Sequence, residues 1–194
     1  IDENSNSEEA VERLETDWLK KSMFELLYDE QKNTSNVVRL KTQYRMPKVI
    51  ADYAARQFYN SQLDTDEDKS KKVIFNDPLF QKPLIFVDTV QLSPRIRYDS
   101  SIEWKNGRPT SVKGESTSNR LEAELIAKLA CMYHNEHIRW IVIVPYSAQA
   151  QLIRTLLAAM PQMAGVDTEH LVATVDSFQG GESPVVIYGF TRSN

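Results

Sequence analysis

Trp140-Ile141-Val142-Ile143-Val144-Pro145-Tyr146-Ser147-Ala148-Gln149 is the stretch that decides the fold. Its first five residues form an unbroken apolar run of strand length, rich in β-branched side chains, and an unbroken run marks a strand buried on both faces. Beyond Pro145-Tyr146 the pattern changes: Leu152, Ile153, Leu156 and Leu157 recur at helical spacing, which predicts a helix over residues 147–160 with Ser147 placed to cap it. The same alternation continues outward. Upstream, Leu121, Leu125, Ile126 and Leu129 predict a helix over residues 121–134, and downstream residues 171–175 and 184–190 read as strands. Strands that alternate with helices predict an α/β fold with a mostly parallel sheet covered on both faces.

Nearer the N-terminus the signals are shorter. Helix formers near Glu8, followed by Trp18, Met23, Phe24, Leu26 and Leu27, predict a leading helical segment. Residues 37–40 read as a strand, and Pro47 sits at the first turn of a helix over 48–58. Residues 64–72 hold no apolar side chain and read as an exposed loop, whereas residues 84–87 read as a buried strand. Between 90 and 119, Pro94, Gly107, Pro109, Gly114 and several serines predict a surface excursion carrying a small hairpin.

Composition narrows the function classes. With 194 residues and 41% hydrophobic content the chain is expected to be one domain, an acidic lead-in over 1–20 followed by a body over 21–194. No apolar run approaches the ~20 residues of a membrane-spanning helix, and the N-terminus has no secretory pattern, so no membrane partner is expected. The first residue is Ile1, which reads as an excised piece of a longer chain. Cys131 is the only cysteine, which excludes an intramolecular disulfide or a cysteine-rich zinc site and points to a reducing compartment, cytoplasmic or nuclear. The net charge of −4 argues against plain nucleic-acid glue, but residues 1–19 hold seven acids and one base, leaving 22 bases against 20 acids in the rest. A shallow groove for nucleic acid on the body stays open. His134, His137 and His170 lack partner ligands in sequence, so no metal site is expected. No segment matches Gly-x-x-x-x-Gly-Lys-Ser/Thr, so the chain is not a self-sufficient phosphate-loop ATPase.

Three segments carry chemistry. Gln43-Tyr44-Arg45-Met46 offers a ring that can stack on a base beside a guanidinium that can reach phosphate oxygens. Pro145-Tyr146-Ser147-Ala148-Gln149 follows a predicted parallel strand, at the end where ligands of such sheets sit. Thr174-Val175-Asp176-Ser177-Phe178-Gln179-Gly180-Gly181-Glu182 combines short hydroxyls with two glycines and suits a sugar-phosphate chain.

In this order the three resemble the second RecA-like domain of superfamily 1B helicases of the Upf-like group. That family carries Gln-Tyr-Arg-Met, Thr-Pro-Tyr-x-x-Gln and Thr-Val-Asp-x-Phe-Gln-Gly-x-Glu. Phe58-Tyr59, Asn119-Arg120-Leu121-Glu122-Ala123 and Thr191-Arg192-Ser193-Asn194 extend the likeness over nearly the whole chain from Ser22. The resemblance implies a three-layer RecA-like domain with about five strands. It implies ATP and Mg²⁺ held mainly by a first RecA-like domain before Ile1, and single-stranded RNA or DNA as partner. It further implies Arg45 as the catalytic arginine sensor and Tyr44, Glu182, Gln179 and Gly180 as nucleotide-binding residues. Pro145, Tyr146, Thr174 and Asp176 would line the strand. Core packing for Tyr44, a surface salt bridge for Arg45 and a solvated turn for Glu182 remain alternatives, as does backbone bonding within the loop for Asp176 and Gln179. A non-catalytic RecA-like interaction module is the alternative for the chain. The chain departs from the family in Pro47-Lys48, Gly181 and Ser183-Pro184, and the family's further arginine motif is expected after Asn194.

Overall fold

The computed structural model describes residues 21–66, 68, 80, 82–111 and 116–192. The acidic lead-in and the start of the leading helix lie outside them. The chain divides into two compact units, Ile1–Ser70 and Lys71–Asn194.

In the first unit, helix α1 (Met23–Gln31) starts at a capping box. The Ser22 hydroxyl accepts from the Glu25 amide while the Glu25 carboxylate accepts from the Ser22 amide. Strand β1 (Thr42–Gln43) pairs in parallel with β2 (Asp64–Thr65), and helix α2 (Lys48–Phe58) connects them with Pro47 at its N-cap. The strand expected over 37–40 moves downstream. Val38 and Leu40 are more than 80% exposed, and with no strand against them among the described residues the β-branched run is irregular. The loop expected over 64–72 likewise begins with two paired residues.

Among the described residues of the second unit, the first elements are a one-turn helix, α3 (Pro94–Arg97), and an antiparallel hairpin of β3 (Ile102–Lys105) and β4 (Arg108–Ser111), inside the predicted surface excursion. Asn106 and Gly107, both at positive φ, form its two-residue turn. Helix α4 (Arg120–Asn135), β5 (Trp140–Val144), helix α5 (Ser147–Ala158), β6 (Val172–Thr174) and β7 (Val185–Tyr188) follow. The sheet order is β6-β5-β7, all parallel. Trp140, Val142, Val144 and Val172 form the core with Ala123, Ile126, Ala127 and Ala130 of α4 and Ile153 and Leu157 of α5. Alanines at the contact let α4 lie close.

The structure narrows the predicted five-stranded sheet. Among the described residues five strands stand in parallel pairs, in a two-stranded sheet of the first unit and a three-stranded sheet of the second. Residues 84–87 are not the expected buried strand: Leu84, Ile85, Phe86 and Val87 are 42–73% exposed and form no ladder with the other described residues. Their apolar character finds a ring contact instead, with Phe86 edge-on to Phe190 at 6.0 Å. Coverage on both faces also fails at β7, where Val185 and Ile187 pack on the core while Val186 and Tyr188 stay about half exposed. Among the described residues no helix is long and apolar enough to cross a membrane.

Leu157 is fully buried under α4 and the sheet. Leu157→Ala should cost about 2–5 kcal/mol, read as a lower urea midpoint at unchanged slope by the fluorescence of buried Trp140.

Candidate nucleotide and nucleic-acid site

In the first unit, Gln43 organises the loop between β1 and α2. Its side-chain oxygen accepts from the amides of Arg45 (2.9 Å) and Met46 (3.0 Å), and its side-chain nitrogen donates to the Met46 carbonyl (2.7 Å) and the Thr65 hydroxyl (2.8 Å). One side chain thus supplies the bonds that the backbone cannot make on leaving β1. Tyr44, 52% exposed, and exposed Arg45 are presented on this braced turn, and core packing for Tyr44 is excluded by that exposure. Sequence reasoning gave Gln43 no role, although a long amide at a strand end before a helix was the available signal.

In the second unit, parallel pairing aligns the strand ends. Val144 stands opposite Thr174, the Val175 amide donates to the Val144 carbonyl, and the Gly189 amide donates to the Ile143 carbonyl. Pro145, Tyr146, Thr174 and the residues after β7 are therefore brought to one edge of the sheet. Pro145 is exposed and Tyr146 half-buried. The Thr174 hydroxyl is 2.9 Å from the Ser177 hydroxyl, which also takes the Thr174 amide and reaches its carbonyl. Ser177 makes the loop's side-chain-to-backbone bonds, the part contemplated for Asp176 and Gln179, both of which are exposed.

Glu182 is not brought to that edge. The chain runs back along the sheet to begin β7 opposite Trp140, and the Ser183 hydroxyl donates to the Arg139 carbonyl at 3.4 Å, at the start of β5. Gly180 turns the loop with φ +86°, where only glycine is unstrained, and leaves Gln179 and Glu182 exposed on either side. A side chain at Gly181 would run into the ring of Phe178, so packing, and not only charge, accounts for the departure at that position.

The helix caps differ from expectation. Ser147 does not cap α5; the Ala148 amide donates to the hydroxyl of Ser116, 3.2 Å away. Asn119 caps α4 by accepting from the Glu122 amide, while its own amide donates to the side-chain oxygen of fully buried Gln149 (2.7 Å). Gln149 donates in turn to the Asn119 carbonyl (3.2 Å) and to Glu122 (3.0 Å). Both Glu122 oxygens accept from the Thr191 amide at 2.9 Å. Burial pushes the Glu122 carboxyl up, against hydrogen bonds from Thr191, Gln149 and Phe190 that pull it down. Among the described residues no group of three or more His, Cys, Asp and Glu could hold a metal ion.

The sequence pattern of the family described as AAA domain matches residues 19–194. Curated relatives include the uncharacterized ATP-dependent helicase of Methanocaldococcus jannaschii, 30% identical over 92% of this chain and 25% of its own length. The DNA polymerase alpha-associated DNA helicase A of Schizosaccharomyces pombe is 29% identical over 89% of this chain and 26% of its own. The regulator of nonsense transcripts 1 homolog of Neurospora crassa is 27% identical over 91% of this chain and 15% of its own. The chain thus spans about a quarter or less of these relatives' length.

Two predictions follow from these bonds. In Gln43→Ala, amide hydrogen exchange at Arg45 and Met46 should quicken by up to about tenfold, since each lost bond contributes about 0.5–1.5 kcal/mol. For Glu122, a raised native pKa means that the folded state binds more protons than the unfolded chain as pH rises above the ordinary value of 4.5. Stability therefore falls through that window and levels off above the native value. Denaturant titrations across pH should show this slope, and Glu122→Gln should remove it.

Proposed function

The chain belongs to the AAA domain family, and on that footing we propose that it is the second RecA-like motor domain of an ATP-dependent helicase acting on single-stranded RNA or DNA. Its partner would be a first RecA-like domain of the same protein, and its compartment the cytoplasm or nucleus. The observation that carries the reading is the Gln43-braced turn, which presents an accessible aromatic ring next to an accessible guanidinium. Those two groups fit a nucleotide: Tyr44 would stack on the base and Arg45 would meet phosphate oxygens with charge-assisted bonds. ATP, when bound, supplies the phosphoanhydride whose hydrolysis drives the motor.

Each element of this chain then has a task. Gln43 holds the Arg45 backbone, so only side-chain freedom is left to lose when the guanidinium meets the developing charge. Gln179, Gly180 and Glu182 flank the turn before β7, with Glu182 suited to accept from a sugar hydroxyl. Pro145, Tyr146, Thr174 and Asp176 lie on the β5 and β6 ends, where a single strand would pass over Tyr146 and the Thr174–Ser177 hydroxyl pair. The described acids are not clustered to fit Mg²⁺, so no metal step is assigned to them. The sequence carries no phosphate loop, and hydrolysis by this chain alone is not expected.

Steady-state ATPase assays on the full-length protein test the division of labour. Arg45→Ala should lower kcat by about 10² or more, because it removes a charge aimed at the transition state. Tyr44→Ala should chiefly raise KM, since stacking is felt about equally in ground and transition states. Identical kinetic signatures for the two variants would refute the roles, and turnover by residues 1–194 alone would refute the domain assignment.

A further inference from the structure

Just past β7 the chain adopts a backbone that its residue type resists. Thr191 has φ +68°, and of the five non-glycine residues with positive φ among those described it is the only β-branched one. A β-branched residue enters the left-handed region only when its surroundings hold it there. Thr191 is also fully buried, and its hydroxyl oxygen has no hydrogen-bond partner among the described residues. What holds it is the Glu122 carboxylate, gripping its amide with both oxygens and itself gripped by Gln149. The approach is so close that a Cβ on Gly189 would stand 2.6 Å from Glu122 Oε1.

The residue delivered by this turn is Arg192. Its Nη2 donates to the Ser101 hydroxyl at 3.3 Å, and its Nε lies 3.8 Å from Asp99 Oδ2. Asp99 is 2% exposed. Its Oδ1 accepts from the amide (2.8 Å) and the hydroxyl of Ser101, while its Oδ2 makes no hydrogen bond among the described residues. A buried carboxylate with one oxygen left over is costly in a fold that needs only packing, and a nearby cation offsets that cost only in part. The Arg192 side chain meanwhile stays 53% exposed, at the sheet edge shared with Pro145, Tyr146 and Thr174. Backbone strain, a double amide grip and a buried counter-charge thus all converge on one half-exposed guanidinium.

We propose that Glu122 and Asp99 are positioning residues that fix Arg192 as a phosphate-contacting cation at the C-terminal edge of the three-stranded sheet. Glu122 sets the backbone from which the side chain departs, and Asp99 with Ser101 sets the plane of its guanidinium. The ligand chemistry is a phosphate oxyanion, supplied either by the backbone of a single strand or by a nucleotide. The proposal rests on the motor reading above, which requires both.

The test uses full-length protein and two probes, a labelled oligothymidylate or oligouridylate without nucleotide at two salt concentrations, and a fluorescent ATP analogue without strand. Thermal melts monitor folding. Arg192→Gln should weaken one probe by about tenfold; if that probe is the strand, its salt slope should also fall by about 0.7. Loss of strand binding identifies the strand backbone as the phosphate source, and loss of analogue binding identifies the nucleotide. Arg192→Lys should keep the salt slope while losing part of the affinity, because an ammonium lacks the planar fork. Glu122→Gln and Asp99→Asn should each weaken the same probe by several-fold and add nothing in combination with Arg192→Gln. If Glu122→Gln fails to fold, Asp99→Asn decides by the same criterion. Unchanged binding of both probes by Arg192→Gln overturns the proposal alone. Losses that add in full to that of Arg192→Gln overturn the positioning roles. A wild-type protein that binds neither probe overturns the motor reading and this proposal together.

Discussion

Strand β5 is hydrogen-bonded on both sides, to β6 through Val142, Ile143 and Val144 and to β7 through Trp140, Ile141, Val142 and Ile143. Parallel pairing cannot be closed by tight turns, so each neighbour must be reached by a connection that returns to the same end. Helix α5 makes one return and the glycine-bearing loop before β7 makes the other. The consequence is spatial: chemistry-bearing residues far apart in sequence emerge from one edge, while the return loop carries Glu182 away toward the other. The core beneath is what keeps this arrangement in register, because a slip of β5 by one residue would turn Trp140, Val142 and Val144 out of it.

The parts of the fold legible in sequence were the helices, whose backbone bonds close within the segment, and one long apolar strand, whose neighbours were not legible with it. The helices at Lys48–Phe58, Arg120–Asn135 and Ser147–Ala158 and the strand Trp140–Val144 follow their periodicity almost to the residue. Residues 37–40 and 84–87 have the same β-branched and apolar composition as true strands, but a strand is completed by a neighbour, and composition says nothing about whether one is present. The cap on α5 was illegible for a related reason. Ser147 has the right chemistry at the right place in the sequence, yet the hydroxyl used comes from Ser116 on another segment.

The candidate site divides in the same way. Tyr44 and Arg45 were singled out by residue type and order, and the structure leaves both exposed. Their support was not, since nothing in the letters says that the Gln43 amide bonds two amides, a carbonyl and a hydroxyl at once. The polar chain from Asn119 through Gln149 and Glu122 to Thr191 is also a tertiary fact. It joins the starts of two helices to the end of a strand, and each member becomes meaningful only when the others are buried beside it.

The run Pro184-Val185-Val186-Ile187-Tyr188-Gly189-Phe190 has a second consequence, which concerns self-association. It is uncharged, dense in strong strand formers, and includes a strand that is outermost among the described residues, with Val186 and Tyr188 about half exposed. Such segments are templates for edge-to-edge pairing between molecules, and proteins restrain them with prolines and charges at the flanks. Pro184 stands at one flank and Arg192 just beyond the other, and β7 itself is only four residues long. The guanidinium held beside Asp99 thus sets a charge at the flank of this run, and a charge there disfavours edge pairing whatever the guanidinium binds.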